Sequence, residues 1–197
     1  MENLLHVFLA EFTELTAADR AAVAEQLTVR RFPKGHLLLT SGAVADRCFY
    51  LLEGCIRQYQ LQDGVEKTTN FFTERQAVVS FASYLHQKPV NHYWECLEDC
   101  LLIEGDLKAE ADMYEQFPPL QLITRAMMAE DLGQIQEERA AFITSTPKQR
   151  YLHLLERRPG LIHRVPQHQV ASYLGVTPES LSRIRRRIRA EEKQRAE

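Results

Sequence analysis

Residues 165–188, VPQHQVASYLGVTPESLSRIRRRI, read as two short helices joined by a tight turn, the second ending in arginines. Val170, Ala171 and Leu174 recur at helical spacing and give the first helix an apolar side. Gly175 follows, and glycine takes a left-handed turn conformation without steric cost. Thr177 can then cap the next helix, and Pro178 falls in its first turn, where a missing N–H costs nothing. Gly, Val, Thr, Pro is thus a stop signal followed by a start signal.

At about 100° per residue, Leu181, Ile184 and Ile188 gather on one stripe of the second helix. Glu179, Ser182, Arg183 and Arg186 gather on the opposite one. One face packs and the other is presented. A carboxylate, a hydroxyl and guanidiniums on an exposed helix suit the DNA major groove, where Arg can bind guanine bidentately and Glu can accept from cytosine. Arg187 and Arg189 read equally well as ordinary cations at a helix C-terminus.

The segment resembles the helix-turn-helix of the Crp/Fnr superfamily of bacterial transcription regulators, and Glu179, Ser182 and Arg183 match the E-x-x-S-R motif of its Fnr-like branch. The resemblance implies that Glu179 and Arg183 contact the base edges of a C·G pair and that Ser182 tunes a neighbouring base. It places His168, Thr177 and Ser180 on phosphates, where Arg186 and Arg187 are added as basic neighbours. Pro178 departs from the pattern, standing where the cyclic-AMP-responsive branch has a base-reading arginine.

The net charge of −3 conceals an asymmetry. From Thr146 to Glu197 there are 12 Lys or Arg against 5 Asp or Glu, a net +7, whereas the remainder holds 12 against 22, a net −10. A basic C-terminal module on an acidic body predicts salt-dependent binding to double-stranded DNA. No apolar run reaches the length of a bilayer span and the start MENLLHVFLAEF has no positive leader, so no membrane association and a cytoplasmic location are expected. Cys48, Cys55, Cys96 and Cys100 sit in strand-like apolar stretches, not in C-x-x-C pairs, and read as buried reduced thiols. One branch of the family holds an iron–sulfur cluster on N-terminal cysteines, but no cysteine precedes Cys48 here. The histidines form neither H-x-H nor H-E-x-x-H, so no metal site is expected, and no cofactor is.

A length of 197 residues suffices for one substantial core and a small second one. Residues 3–27 read as helices, with Thr16 as a cap. From Val29 to Ile103 short apolar runs alternate with the turn signals Pro33-Lys34-Gly35, Ser41-Gly42, Glu53-Gly54 and Asp63-Gly64. That rhythm predicts a small antiparallel barrel or double-layered roll with a hairpin at Asp63-Gly64. The run RRFPKGHLLLTSGAVADRCFYLLEGCIRQYQLQDG is also similar to the family's sensor in its glycines, its Tyr-Leu-Leu-x-Gly turn and its D-G hairpin. Helix returns after Gly105, with Asp106 as a cap, and Pro118-Pro119 opens a long helix to about Ser145. A further helix covers Pro147 to Arg157. The expected class is α+β: a jelly-roll-like double-stranded β-roll flanked by helices, a long dimerisation helix and a C-terminal helix-turn-helix. The boundaries are 1–116 for a cyclic-nucleotide-binding-like sensor, 117–145 for the dimerisation helix and 146–197 for the DNA-binding domain. Residues 190–197, AEEKQRAE, are too short and polar for the two strands of the family's wing.

Within the long helix Met128, Leu132, Ile135 and Phe142 fit the spacing of a coiled-coil seam, with Arg139 at the remaining position. A homodimer is the expected use, matching the two-fold logic of helix-turn-helix operators. The alternative is a helix lying on the roll.

Family members that bind cyclic nucleotides present a G-E pair to the ribose and an R-S or R-T pair to the phosphate. Here Ser80-Phe81 and Val90-Asn91-His92 stand near those places. A buried phosphate needs a guanidinium or several backbone donors to replace lost water, so cyclic AMP is disfavoured as the effector. Aromatic residues crowd the same region, and Phe72, Ser80, Phe81, Tyr84 and Asn91 form a candidate pocket for a small apolar effector, against the plainer reading of the rings as core. The function expected is a dimeric, sequence-specific transcription regulator, not an enzyme, with RNA polymerase as a further partner if it activates. A sensor that has lost DNA binding and acts through protein partners is the alternative, and a cupin-like metalloenzyme a weaker one.

Overall fold

The structure, a computed structural model, describes residues 2–196, with side chains for all of these but 2, 3, 192, 195 and 196. Helix α1 (Glu2–Ala10) leads to α2 (Ala17–Gln26), which starts where Thr16 requires it. The Thr16 hydroxyl accepts from the Asp19 N–H at 3.1 Å while the Asp19 carboxylate accepts from the Thr16 N–H at 3.1 Å. Such a reciprocal cap stabilises a helix start by about 1 kcal/mol. Leu5 and Leu9 of α1, Leu15 of the connection and Val23 of α2 turn inward and form one cluster with Ile103, Leu120 and Ile123.

The turn signals then divide the apolar runs into β1 (Thr28–Phe32), β2 (Leu37–Leu39), β3 (Cys48–Glu53), β4 (Ile56–Gln62), β5 (Val65–Phe72), β6 (Ala77–Val78), β7 (Tyr93–Cys96) and β8 (Cys100–Gly105), with the short helix α3 (Phe81–His86) between β6 and β7. One sheet has the order β1-β8-β3-β6 and the other β2-β7-β4-β5. Strand β8 is the spine of the first, pairing antiparallel with β1 from Thr28↔Glu104 to Phe32↔Cys100 and with β3 from Cys48↔Gly105. The period-2 alternation of β3 and β7 sends Phe49, Leu51, Trp94 and Cys96 inward. There they meet Phe32, Leu39, Ile56, Val78 and Leu102 in a core shared by both sheets. At its centre the Trp94 ring lies edge-on to Phe49 and Phe72, at 6.5 Å from each. Its indole N–H donates to the Gln58 Oε1 at 2.9 Å, which meets the cost of burying that polar edge. At the β4–β5 turn, Asp63 and Gly64 both adopt positive φ, 52° and 76°, as a two-residue type I′ hairpin requires.

Asp106 caps α4 (Leu107–Gln116), its carboxylate accepting from the Lys108 and Ala109 N–H groups at 3.1 and 2.9 Å. Helix α5 (Pro118–Thr144) runs 27 residues. Helices α6 (Pro147–Arg157), α7 (Leu161–Arg164), α8 (Gln167–Tyr173) and α9 (Pro178–Ala196) follow. The short α7 falls where only a connecting loop was expected. The polar run from residue 190 continues α9 to Ala196.

The described chain divides into two compact units, one holding the residues up to Gln58 with Phe71–Ile135, the other Tyr59–Asn70 with the residues from Gln136 onward. The division falls inside α5 and groups the tip of the β4–β5 hairpin with the C-terminal helices. In that second unit the Thr68 N–H donates to the Ser172 Oγ at 2.9 Å, and the Ser172 hydroxyl donates to the Glu66 carbonyl at 3.4 Å.

Gly54 holds the β3–β4 turn at φ +115°, and a Cβ there would lie 2.6 Å from the Cys100 Sγ and 2.9 Å from the Asp99 carbonyl. Gly54→Ala is therefore expected to lower stability by about 2 kcal/mol or more through combined backbone strain and overlap. Thermal or urea denaturation of the variant beside the parent measures it.

Candidate nucleic-acid interface

Helices α8 and α9 pack against each other through Val170, Ala171 and Leu174 on the first and Leu181 and Ile188 on the second, all buried. The turn between them closes as a Schellman motif. Gly175 takes φ +70°, its N–H donates to the Ser172 carbonyl at 3.1 Å, and the Val176 N–H donates to the Ala171 carbonyl at 3.0 Å. The Leu174 carbonyl accepts from Arg150 Nη1 at 3.0 Å. Arg150 also donates through Nε to the Phe142 carbonyl at 3.1 Å and lies 3.9 Å over the Phe142 ring. One guanidinium thus joins the end of α5, the start of α6 and the turn.

Thr177 caps α9 as its position predicts, its hydroxyl accepting from the Ser180 N–H at 3.3 Å and lying 3.2 Å from the Ser180 Oγ. Ser180 in turn accepts from Arg183 Nη2 at 3.2 Å. The Glu179 backbone N–H and the Thr177 hydroxyl hold the exposed Glu179 carboxyl below the usual carboxylate range, so at neutral pH it is ionised and accepts hydrogen bonds only. Glu179, Ser182, Arg183 and Arg186 all stand exposed on the face of α9 opposite Leu181 and Ile188, with Ile184 half-buried. His168 and Thr177 are exposed and Ser180 half-buried. Arg187 is exposed and donates to Glu191, one turn on, at 3.1 Å; Lys148 reaches the same carboxylate at 2.5 Å.

Two residues of this face were not expected from the sequence. Gln167, at the start of α8, donates from Nε2 to the Ser182 Oγ at 2.8 Å, and its Oε1 accepts from Arg185 Nη1 at 3.3 Å. Partners 15 and 18 residues away carry no local pattern. Only the helix-turn-helix geometry, which folds the start of one helix back on the middle of the next, could have suggested them.

Comparison with known proteins bears first on the roll: residues 29–117 match the cyclic nucleotide-binding domain family. No curated protein sequence matches the chain. Over its length it is similar in structure to a double mutant of CooA from Carboxydothermus hydrogenoformans, with a TM-score of 0.68, 14% identity and coverage of 86% of this chain and 79% of that one. The c-di-GMP responsive global regulator CLP of Xanthomonas campestris gives 0.68, 16% identity and coverage of 90% and 93%. FixK2 from Bradyrhizobium japonicum gives 0.66, 16% and coverage of 84% and 86%. The chain thus holds a cyclic nucleotide-binding-like roll and shares the fold of these three proteins over most of its length.

Within this fold the residues expected to line an effector pocket are spread between core and surface. Phe72 packs against the core beside Trp94. Tyr84 is buried, and its hydroxyl sits 3.5 Å from the Cys48 Sγ and 3.3 Å from the Glu110 Oε2. Ser80 precedes α3 without a side-chain cap, while Phe81 and Asn91 are exposed. Beside Asn91, the Nε2 of half-buried His92 has no hydrogen-bond partner, and desolvation lowers its pKa. The thiols of Cys55, Cys96 and Cys100 are buried and unoxidised, and a hydrogen bond with Cys100 together with burial pushes the Cys96 thiol up. Among the described residues no group of three or more His, Cys, Asp or Glu could hold a metal ion, and no helix is long and apolar enough to cross a membrane.

On the expected seam of α5, Met128, Leu132 and Ile135 are 40%, 56% and 58% exposed. Arg139 is exposed as well, and Phe142 offers one side while Arg150 covers another.

Replacing Arg150 by Ala removes two hydrogen bonds and the ring contact, and should lower stability by about 1–3 kcal/mol. Arg150→Lys should restore little of it, since an ammonium cannot serve two carbonyls from a plane stacked on the ring. Chemical denaturation of both variants tests this.

Proposed function

We propose that the chain is a cytoplasmic, homodimeric, sequence-specific DNA-binding transcription regulator whose cyclic-nucleotide-binding-like roll answers to something other than cyclic AMP. The observation that carries this reading is the face of α9. Glu179, Ser182 and Arg183 are exposed together on a helix whose other side is buried, and the turn behind them is fully hydrogen-bonded. Glu179 and Arg183 then read base edges, Ser182 tunes a neighbouring one, and His168, Thr177, Ser180, Arg186 and Arg187 engage phosphates. Arg186, which makes no ion pair among the described residues, is the freer of the two basic neighbours, since Arg187 shares Glu191 with Lys148. The domain limits follow the same logic, with a sensor over 1–116, a dimerisation helix over 117–145 and the reader over 146–197.

Dimerisation through α5 supplies the symmetry. Met128, Leu132 and Ile135 are large apolar groups left in water by one chain, and a second copy of the helix would cover them, with Arg139 and Phe142 continuing the seam. Two readers then meet half-sites about 34 Å apart, or a multiple of that. The effector acts at the region of Phe72, Ser80, Phe81, Tyr84 and Asn91, where the sequence stretches Ser80-Phe81 and Val90-Asn91-His92 bring no guanidinium for a cyclic phosphate. An activator would in addition touch RNA polymerase.

Selection of binding sites from a randomised DNA library by the purified protein should enrich a two-fold symmetric sequence. Enrichment of none would leave a sensor acting through protein partners. On the enriched sequence Arg183→Ala should cost about 1–3 kcal/mol and relax one base position, whereas Arg186→Ala should weaken all sequences alike and flatten the salt dependence. Equal binding by Arg183→Ala and the parent rejects base reading by that residue. Leu132→Glu places a charge in the seam and should convert the dimer to monomer in sedimentation velocity.

A further inference from the structure

We infer that Gln167 is the positioning residue of base reading, and that its amide, oriented by Arg185, occupies one lone pair of Ser182 and leaves the Ser182 O–H free to donate toward DNA. This rests on the reading of α9 as a DNA-reading helix. A serine hydroxyl has one proton and two lone pairs and rotates to suit its surroundings, so a free serine is an indifferent reader. Ser182 is not free. Gln167 Nε2 donates to its oxygen at 2.8 Å, which occupies a lone pair and leaves the O–H to point elsewhere. The amide cannot turn over without loss, because its Oε1 accepts from Arg185 Nη1 at 3.3 Å and a guanidinium accepts nothing. A flipped amide would set an N–H against a cation. The charge on Arg185 therefore decides which end of the amide faces Ser182, and the amide decides what Ser182 offers. A donor at that point favours a base edge presenting an acceptor there, such as guanine O6 or N7, adenine N7 or thymine O4, over one presenting the cytosine N4 or adenine N6 amino group.

Gln167→Glu reverses the polarity. A carboxylate accepts from the Ser182 hydroxyl, leaving only lone pairs for DNA, and keeps its pairing with Arg185. Gln167 is exposed at the first turn of α8, so neither Glu nor Ala there should disturb the fold, which thermal melting checks.

The experiment is library selection with the parent, Gln167→Glu, Gln167→Ala, Ser182→Ala and the double variant Gln167→Glu with Ser182→Ala. If the parent enriches no sequence, the DNA-binding reading has failed, and this inference with it. If it enriches one, Ser182→Ala should flatten preference at one base pair per half-site. Gln167→Ala should weaken the same preference about three- to tenfold, the value of one neutral hydrogen bond. Gln167→Glu should shift that base pair toward a donor-presenting base, and the double variant should behave as Ser182→Ala there. A Gln167→Glu variant that binds every sequence more weakly with an unchanged base preference overturns the inference while leaving the DNA-binding reading intact. So does a parent with no preference at any position sensitive to Ser182.

Discussion

The C-terminal unit is organised around one guanidinium. Arg150 closes the carbonyls of Phe142 and Leu174 and stacks on the Phe142 ring, so the direction in which α8 ends is fixed relative to α5 and α6. Gly175 then turns the chain with no Cβ to spare, since an added carbon would sit 3.3 Å from Arg150 Nη1. Helix α9 leaves that turn at a set angle, and burial of Leu181 and Ile188 fixes its rotation. Chemistry on the far face inherits its geometry from these contacts. Exposed side chains keep little order on their own, and here Thr177, Ser180 and Gln167 supply what the backbone cannot.

The roll rests on a different balance. Trp94 at its centre is held by edge-on rings and by Gln58, and the two sheets close over it from both sides. None of that packing calls for a bound nucleotide. Ser80, Phe81, Asn91 and His92, around α3, are not among the residues of that core cluster. Tyr84, an obvious candidate for touching a ligand, instead directs its hydroxyl to Cys48 and Glu110, while Tyr114 donates to the other oxygen of the same carboxylate at 2.7 Å.

What could be read from sequence was local. Thr16, Asp106 and Thr177 each bond a backbone N–H two or three residues ahead, so a few letters suffice to place a helix start. Asp63-Gly64 and Gly175 were legible for the same reason, because a positive φ narrows the choice of residue. The alternating strands announced two sheets, and the E-x-x-S-R spacing announced which side of α9 is presented. What escaped was nonlocal. Arg150 reaches across 24 residues to Leu174 and Gln167 across 15 to Ser182, and neither distance leaves a period or a motif. Phe142 shows the same limit from the other side: its spacing fits a seam, yet one flank of its ring is given to Arg150.

The contact between the β4–β5 hairpin and α8 divides its burden unequally. The hairpin contributes only main-chain groups, the Thr68 N–H and the Glu66 carbonyl, whereas α8 contributes the single hydroxyl of Ser172. Sequence drift at the exposed Glu66 leaves the hairpin's side of the bargain intact, because any residue brings the same carbonyl. On the helix both bonds hang on one hydroxyl, so a substitution at Ser172 that removes it takes the whole hydrogen-bonded contact, while one at Glu66 takes none of it.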